Sequence, residues 1–278
     1  MKNALCLGTF DGVHKGHRAV LSSAENYNRI AVTFKKPPKA VITGKDELIR
    51  TYEDKCRILK NLGINEIVAL DFKTVRSVSP RDFLFYLYDN YRPAVISCGF
   101  NYNFGKNGEG NVELLENFCK EKGIELKCSQ PIKYGGETVS STLIRDYLKK
   151  GEINKANVLL EEPFSFTAPV KHGAMRGRTI GFPTVNQEYP KELVSIKSGV
   201  YKVKICFENQ EYTGISDIGH RPTYPLDYII SETFIKDFSG DLYEKELKII
   251  PTEFLREEKK FDNLEALKRQ LDEDLNKI

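Results

Sequence analysis

No two cysteines in this chain are spaced Cys-x-x-Cys, although six are present (Cys6, Cys56, Cys98, Cys119, Cys128 and Cys206). That spacing excludes a zinc ribbon or a thioredoxin-type redox pair. Their scatter through apolar runs reads as reduced, partly buried thiols rather than a disulfide framework. Charge of one sign is scarce as well: 42 Lys and Arg against 39 Asp and Glu leave a net +3. Such a balance argues against broad nucleic-acid or membrane-surface binding. No apolar run is long enough to span a bilayer. No long apolar core follows a basic amino terminus, so the expectation is a cytoplasmic protein without a signal peptide. Repeats and low-complexity tracts are also missing, and no activated Ser or Cys nucleophile stands out. What is present describes a soluble globular chain of 278 residues, 40% hydrophobic and 29% charged. That length is generous for one domain and comfortable for two.

Through about residue 160, short β-rich runs alternate with amphipathic helical ones. Strands are expected at residues 4–7, 30–34, 66–70 and 94–97, with helices at 16–27, 52–62, 80–89, 112–122 and 143–149. That alternation implies a parallel sheet covered on both faces. Ligands of such sheets sit at the carboxyl ends of the strands. Glu161-Glu162-Pro163 then breaks the helical run, and the pattern changes to strands at 165–170, 199–207, 211–215, 228–238 and 246–254. These predict an antiparallel sheet or small barrel, closed by an amphipathic helix at 264–275. The expected domains are therefore residues 1–160 and 161–278.

The stretch Gly8-Thr9-Phe10-Asp11-Gly12-Val13-His14-Lys15-Gly16-His17 follows the first strand directly and leads into a helix. Unpaired backbone N–H groups at a helix start carry partial positive charge and suit phosphate. Two histidines three apart can reach the same anion. The stretch is neither a Walker A loop nor Gly-x-Gly-x-x-Gly. Lys35-Lys36-Pro37-Pro38-Lys39 follows the second strand and is either a solvated loop, the commoner case, or a guard over polyphosphate. After the fourth strand, Cys98-Gly99-Phe100-Asn101-Tyr102-Asn103-Phe104-Gly105 alternates aromatics with Asn and Gly. Its rings either stack on a flat ligand or tuck into the core. Ser140-Ser141-Thr142 open the helix at 143–149, and Arg145 lies in its first turn, away from the end that favours a cation.

In the second half, Gly173, Gly177, Arg178, Gly181 and Pro183 lead to Thr184-Val185-Asn186. Glycines admit close approach of phosphate, and Thr184 and Asn186 offer neutral oxygens suited to Mg²⁺. Glu232 interrupts an apolar strand at Ser231-Glu232-Thr233. Buried there, it would have a raised pKa and could take a proton from an alcohol. On spacing alone, an outward-facing carboxylate is the simpler reading.

Taken together, Gly8 to His17, Tyr52-Glu53-Asp54-Lys55, Gly99 to Gly105, Ser140 to Arg145, Gly177 to Asn186, Gly219 to Thr223 and Glu232 resemble the bacterial bifunctional riboflavin kinase/FMN adenylyltransferase family. The resemblance covers essentially the whole chain. It implies an α/β nucleotidyltransferase domain with a Rossmann-like parallel sheet, followed by a small antiparallel β-barrel domain with a carboxy-terminal helix. The implied activities are ATP-dependent phosphorylation of riboflavin to FMN and adenylylation of FMN to FAD, with Mg²⁺ as cofactor. Carried over, His14 and His17 would bind ATP phosphates, with Gly8, Phe10, Asp11 and Gly12 forming the loop around them. Asn101, Ser141, Thr142 and Arg145 would hold nucleotide and pyrophosphate. Gly173, Gly177, Arg178, Gly181 and Pro183 would line the kinase site, Thr184 and Asn186 would meet the metal, and Glu232 would be the general base.

Three positions depart from the family pattern. Lys36-Pro37-Pro38 stands where Pro-His-Pro is usual, Asp217-Ile218-Gly219 where Asn-Ile-Gly is usual, and Tyr243-Glu244 where Tyr-Gly is usual. Asp217 and Glu244 motivate one alternative, a monofunctional FMN adenylyltransferase with a kinase-inactive barrel; a non-enzymatic flavin-sensing regulator is the second. The expected partners are small molecules only, neither nucleic acid nor membrane, with the chain a monomer or weak homo-oligomer.

Overall fold

The computed structural model describes residues 1–172, 181–220, 228–261 and 263–278. They divide into two compact units: Met1–Ile144 with Leu159–Glu162, and Arg145–Val158 with Pro163–Ile278.

In the first unit, β1 (Asn3–Leu7) is the centre of a five-stranded sheet with β2 (Asn28–Phe34), β3 (Glu66–Leu70), β4 (Val95–Gly99) and β5 (Glu125–Ser129). The order is β3-β2-β1-β4-β5, and every pairing is parallel. Successive side chains of β1 point to opposite faces, so Leu5 and Leu7 enter one core and Ala4 and Cys6 the other. Helices α1 (Lys15–Ser22) and α3 (Tyr52–Asn61) supply Val20, Leu21, Ile58 and Leu59 to the second core. Helices α5 (Pro80–Tyr91) and α6 (Val112–Lys122) supply Phe83, Leu84, Leu87, Leu115 and Phe118 to the first.

Several elements differ from the expected pattern. α1 stops at Ser22 rather than at residue 27, where the chain turns and Ser23 Oγ donates back to Val20 O at 2.8 Å. The stretch 35–39 is not wholly loop, because Pro38 opens α2 (Pro38–Thr43) as a residue whose missing N–H costs nothing there. A fifth strand, β5, was not expected; its side chains are mostly half-buried, so its alternation is weak. The short α4 (Phe72–Val75) and the hairpin of β6 (Lys133–Tyr134) and β7 (Glu137–Thr138) were also not expected. Helix α7 (Ser141–Lys150) begins in the first unit and ends in the second.

The second unit takes α8 (Ile153–Leu159) through Val158 and a closed antiparallel barrel. Its strands are β8 (Phe166–Lys171), β9 (Thr184–Glu188), β10 (Gly199–Phe207), β11 (Gln210–His220), β12 (Ile229–Ile235) and β13 (Glu246–Arg256), in the order β10-β11-β12-β9-β8-β13. The interior is apolar around Tyr201, Val203 and Ile205, and it also holds a hydroxyl cluster. Ser216, Ser231 and Thr233 bond one another there at 2.7–3.1 Å, which satisfies polar groups that water cannot reach. Helix α9 (Leu264–Leu275) closes the chain, and its fully buried Asp274 receives Arg256 Nε at 2.8 Å.

Candidate active site

Past β1 the backbone turns sharply. Gly8 N–H still donates to Val32 O at 3.2 Å, but Phe10, Gly12 and Val13 then take φ values of +49°, +83° and +46°. Positive φ at a β-branched residue is strained and persists only where the surroundings impose it. Ile49 N–H donates to Asp11 Oδ1 at 3.1 Å, and Ser141 Oγ donates to Asp11 O at 2.9 Å. Arg50 Nε donates to Gly12 O at 3.3 Å, and Glu161 N–H donates to Val13 O at 3.1 Å. Gly12 is required twice over, by its φ and because a Cβ there would lie 3.0 Å from Ile49.

The two histidines form a reciprocal cap at the start of α1. His14 Nδ1 accepts from His17 N–H at 3.2 Å, and His17 Nδ1 accepts from His14 N–H at 3.4 Å. The rings stack with centroids 3.6 Å apart. A ring nitrogen that accepts carries no proton, so this network assigns both rings the tautomer with hydrogen on Nε2. Burial holds the His17 pKa well below its ordinary value, with His14 and Lys55 adding to the effect. The pair therefore offers neutral donors rather than two cations.

Both rings line a cleft of about 670 Å³ at the carboxyl ends of the strands. Gly8, Phe10, His14, His17, Asn101 and Ser141 all reach its wall. Asp11 and Gly12 do not; they lie buried behind it, holding Ile49 and Arg50. Thr142 is exposed and also off the wall, and Arg145 is buried on the part of α7 that belongs to the second unit. The lysine-proline stretch contributes Pro38, with Ile42 beside it, whereas Lys36 pairs with Asp46 at 2.6 Å. In the loop after β4, Phe104 is core, Tyr102 stacks on it at 5.6 Å, and Phe100 is 44% exposed. All three reach the cleft wall, and Phe100 presents the most exposed ring of them.

Lys55, named in the sequence only within Tyr52-Glu53-Asp54-Lys55 and given no role there, is buried next to the loop after β1. It occupies the buried face of α3 with Ile58 and Leu59, a cation at an apolar position of the helical repeat, which is the signal that could have found it. Its Nζ donates to Phe34 O at 2.5 Å, Thr9 O at 3.3 Å and Thr33 Oγ1 at 3.4 Å, tying together the carboxyl ends of β1 and β2. Burial lowers its pKa to about 8.

In the second unit, Gly173, Gly177 and Arg178 lie outside the described residues. Gly181 and Pro183 are exposed just before β9. Glu232 faces Asn186 on β9 and Asp217 on β11, directly across the ladder on either side. It is half-buried and alternates with buried Ser231 and Thr233, so it stands on the outward face of the barrel. Thr184 and Asn186 share a face of β9 and bring hard oxygen donors, the class that Mg²⁺ takes. Among the described residues no three His, Cys, Asp or Glu side chains group to hold a metal. A cation here would share its ligands with phosphate and water.

A family model for FAD synthetase matches residues 1–143, and one for riboflavin kinase matches residues 160–278. The bifunctional riboflavin kinase/FMN adenylyltransferase of Listeria monocytogenes is 33% identical, covering 99% of this chain and 90% of its own. The Bacillus subtilis protein of the same description is 32% identical, covering 98% and 90%. A crystal structure described as a macrolide-efflux protein from Streptococcus pneumoniae superposes with a TM-score of 0.91 at 28% identity, covering 99% of this chain and 93% of that one. No helix among the described residues is long and apolar enough to cross a membrane.

Proposed function

Because the chain belongs to the bifunctional riboflavin kinase/FMN adenylyltransferase family, we propose that residues 1–160 adenylylate FMN and residues 161–278 phosphorylate riboflavin. The protein is an enzyme that uses ATP to make FMN from riboflavin and FAD from FMN. Both family models match, so neither the monofunctional nor the flavin-sensing reading is favoured. It acts on small molecules, in the cytoplasm, with Mg²⁺ as the metal.

The observation that carries the adenylylation site is the reciprocal histidine cap on the wall of the cleft. In that step a phosphate oxygen of FMN attacks the α-phosphorus of ATP as the bond to pyrophosphate breaks. Charge builds on the phosphate oxygens, and no covalent enzyme intermediate is needed. The Nε2–H groups of His14 and His17, with the dipole of α1, supply donors fixed in advance. One such donor is worth about 3–4 kcal/mol of barrier. Asn101 and Ser141, both on the cleft wall, hold the nucleotide and pyrophosphate, with Phe100 available to the flavin ring.

In the kinase half, Glu232 takes the proton from the ribityl hydroxyl as it attacks the γ-phosphorus and the bond to ADP breaks. Gly173, Gly177, Arg178, Gly181 and Pro183 contact ATP and flavin. Thr184 and Asn186 would hold Mg²⁺, which would supply positive charge against the ATP phosphates.

Incubation with riboflavin, ATP and Mg²⁺, followed by chromatographic separation of flavins, tests both halves. His17→Ala should accumulate FMN without FAD. Glu232→Ala should make no FMN from riboflavin yet convert supplied FMN to FAD. Loss of both activities from either folded variant would overturn separate sites.

A further inference from the structure

Residues 159–162 belong to the first unit, although the stretches before and after them in sequence belong to the second. Leu160 bridges to His14 in antiparallel fashion, and Glu161 N–H donates to Val13 O at 3.1 Å. Glu161 Oε2 accepts from Arg18 Nη1, on α1, at 2.6 Å. Glu162 takes a two-pronged contact from Arg57, at 2.9 and 2.6 Å, the strong geometry for a guanidinium and a carboxylate. The buried Arg50 joins both sides, donating to Gly12 O at 3.3 Å and to Glu162 O. The bridge to His14 and the bonds to Val13 O and Gly12 O reach the loop that contains the positive-φ residues Gly12 and Val13, while the Arg18 and Arg57 pairs tie the same segment to α1 and α3.

We infer that residues 160–162 form a strap of positioning residues for adenylyl transfer, holding the strained loop from residue 9 to residue 14 in its phosphate-binding shape. Strain of that kind relaxes unless an external contact over-determines it. Here the contact comes from a segment more than one hundred residues downstream, beyond the matched FAD synthetase region that ends at residue 143. The adenylylating half is therefore not complete at the end of that region. The inference rests on the loop being the ATP phosphate site.

The test measures adenylylation and riboflavin phosphorylation in the same full-length preparations of Glu162→Ala, Arg50→Met and His17→Ala. A loop shifted by about 1 Å loses roughly 100-fold in transfer rate. The strap variants should therefore lose about 10- to 100-fold in kcat/KM for FMN adenylylation, with a raised KM for ATP, while riboflavin phosphorylation is unchanged. The double exchange Arg57→Glu with Glu162→Arg should recover most of that loss. Where Arg50→Met fails to fold, Arg18→Gln at the exposed end of the strap replaces it. Strap variants that are folded and keep wild-type kcat and KM overturn the proposal, even when their melting temperature falls. If His17→Ala keeps full adenylylation, the loop reading itself fails; if His17→Ala is inactive while the strap variants are normal, only the strap fails.

Discussion

His14 and His17 cap each other: each Nδ1 accepts the other's backbone N–H, and the rings lie 3.6 Å apart. Protonating either Nδ1 would set two N–H groups face to face and break the cap. The folded pKa of His17 lies well below its ordinary 6.5, mainly through burial. Between those two values the unfolded chain binds more protons than the folded one, so stability is lost as pH falls below about 6.5. The loss is up to about 1.4 kcal/mol for each pH unit crossed. Thermal unfolding of the wild type should thus drop between about pH 7.5 and pH 5.5, and His17→Gln, which does not titrate, should drop less. Equal slopes would mean that the histidine cap is not what titrates.

Lys55 carries the opposite end of the pH scale. Its folded pKa, about 8, lies below the ordinary 10.5 because burial removes the ammonium from water. Between those values the unfolded chain again binds more protons, so Lys55 contributes a rise in stability from pH 8 to 10.5. Lys55→Met should abolish that rise. It should also slow adenylylation about tenfold, since Thr9 and Phe34 lose the cation that gathers their carbonyls. Denaturant melts across the alkaline range and flavin chromatography measure the two effects separately.

The sheet was legible because its central strands alternate or are continuously apolar and are separated by capped helices. The loop after β1 was legible because glycines and histidines are conspicuous. Strand β5 sits half-buried at the sheet edge and β9, paired on both sides in the barrel, has only one buried position, so neither carries a clear period. Asp11 and Gly12 read as ligand contacts but serve as anchors for Ile49 and Arg50, a distinction that only tertiary packing makes. Glu161-Glu162-Pro163 read as a break between domains. Nothing local says that the two carboxylates reach back to Arg18 and Arg57.

Glu244 adopts φ +65°, and its N–H donates to Val170 O at 2.9 Å. The family pattern usually has glycine there, and the backbone explains why: left-handed φ costs a side-chain-bearing residue about 1 kcal/mol or more. Glycine's added freedom in the unfolded chain offsets part of that gain. Glu244→Gly should therefore stabilise the second unit by up to about 1 kcal/mol without impairing riboflavin phosphorylation. Chemical denaturation followed by a probe in the barrel would measure it, and a destabilised variant would refute the strain argument.

Asp217, Glu232 and Asn186 form a row across β11, β12 and β9, with Glu232 in the middle. Two carboxylates directly opposite each other destabilise a ladder by a few tenths of a kcal/mol. They also set negative potential beside the proposed kinase site, where the family pattern has an asparagine at the position of Asp217. Asp217→Asn keeps the shape and removes one charge. Its expected result is a lower KM for ATP in riboflavin phosphorylation, by several-fold at low ionic strength. The difference should shrink as salt shortens the screening length to about 8 Å. FMN adenylylation, carried by the other half, should not change. A fall in kcat for phosphorylation would point the other way: the carboxylate would then take part in the transfer, and this chain would have substituted a charged group for a neutral one at a working position.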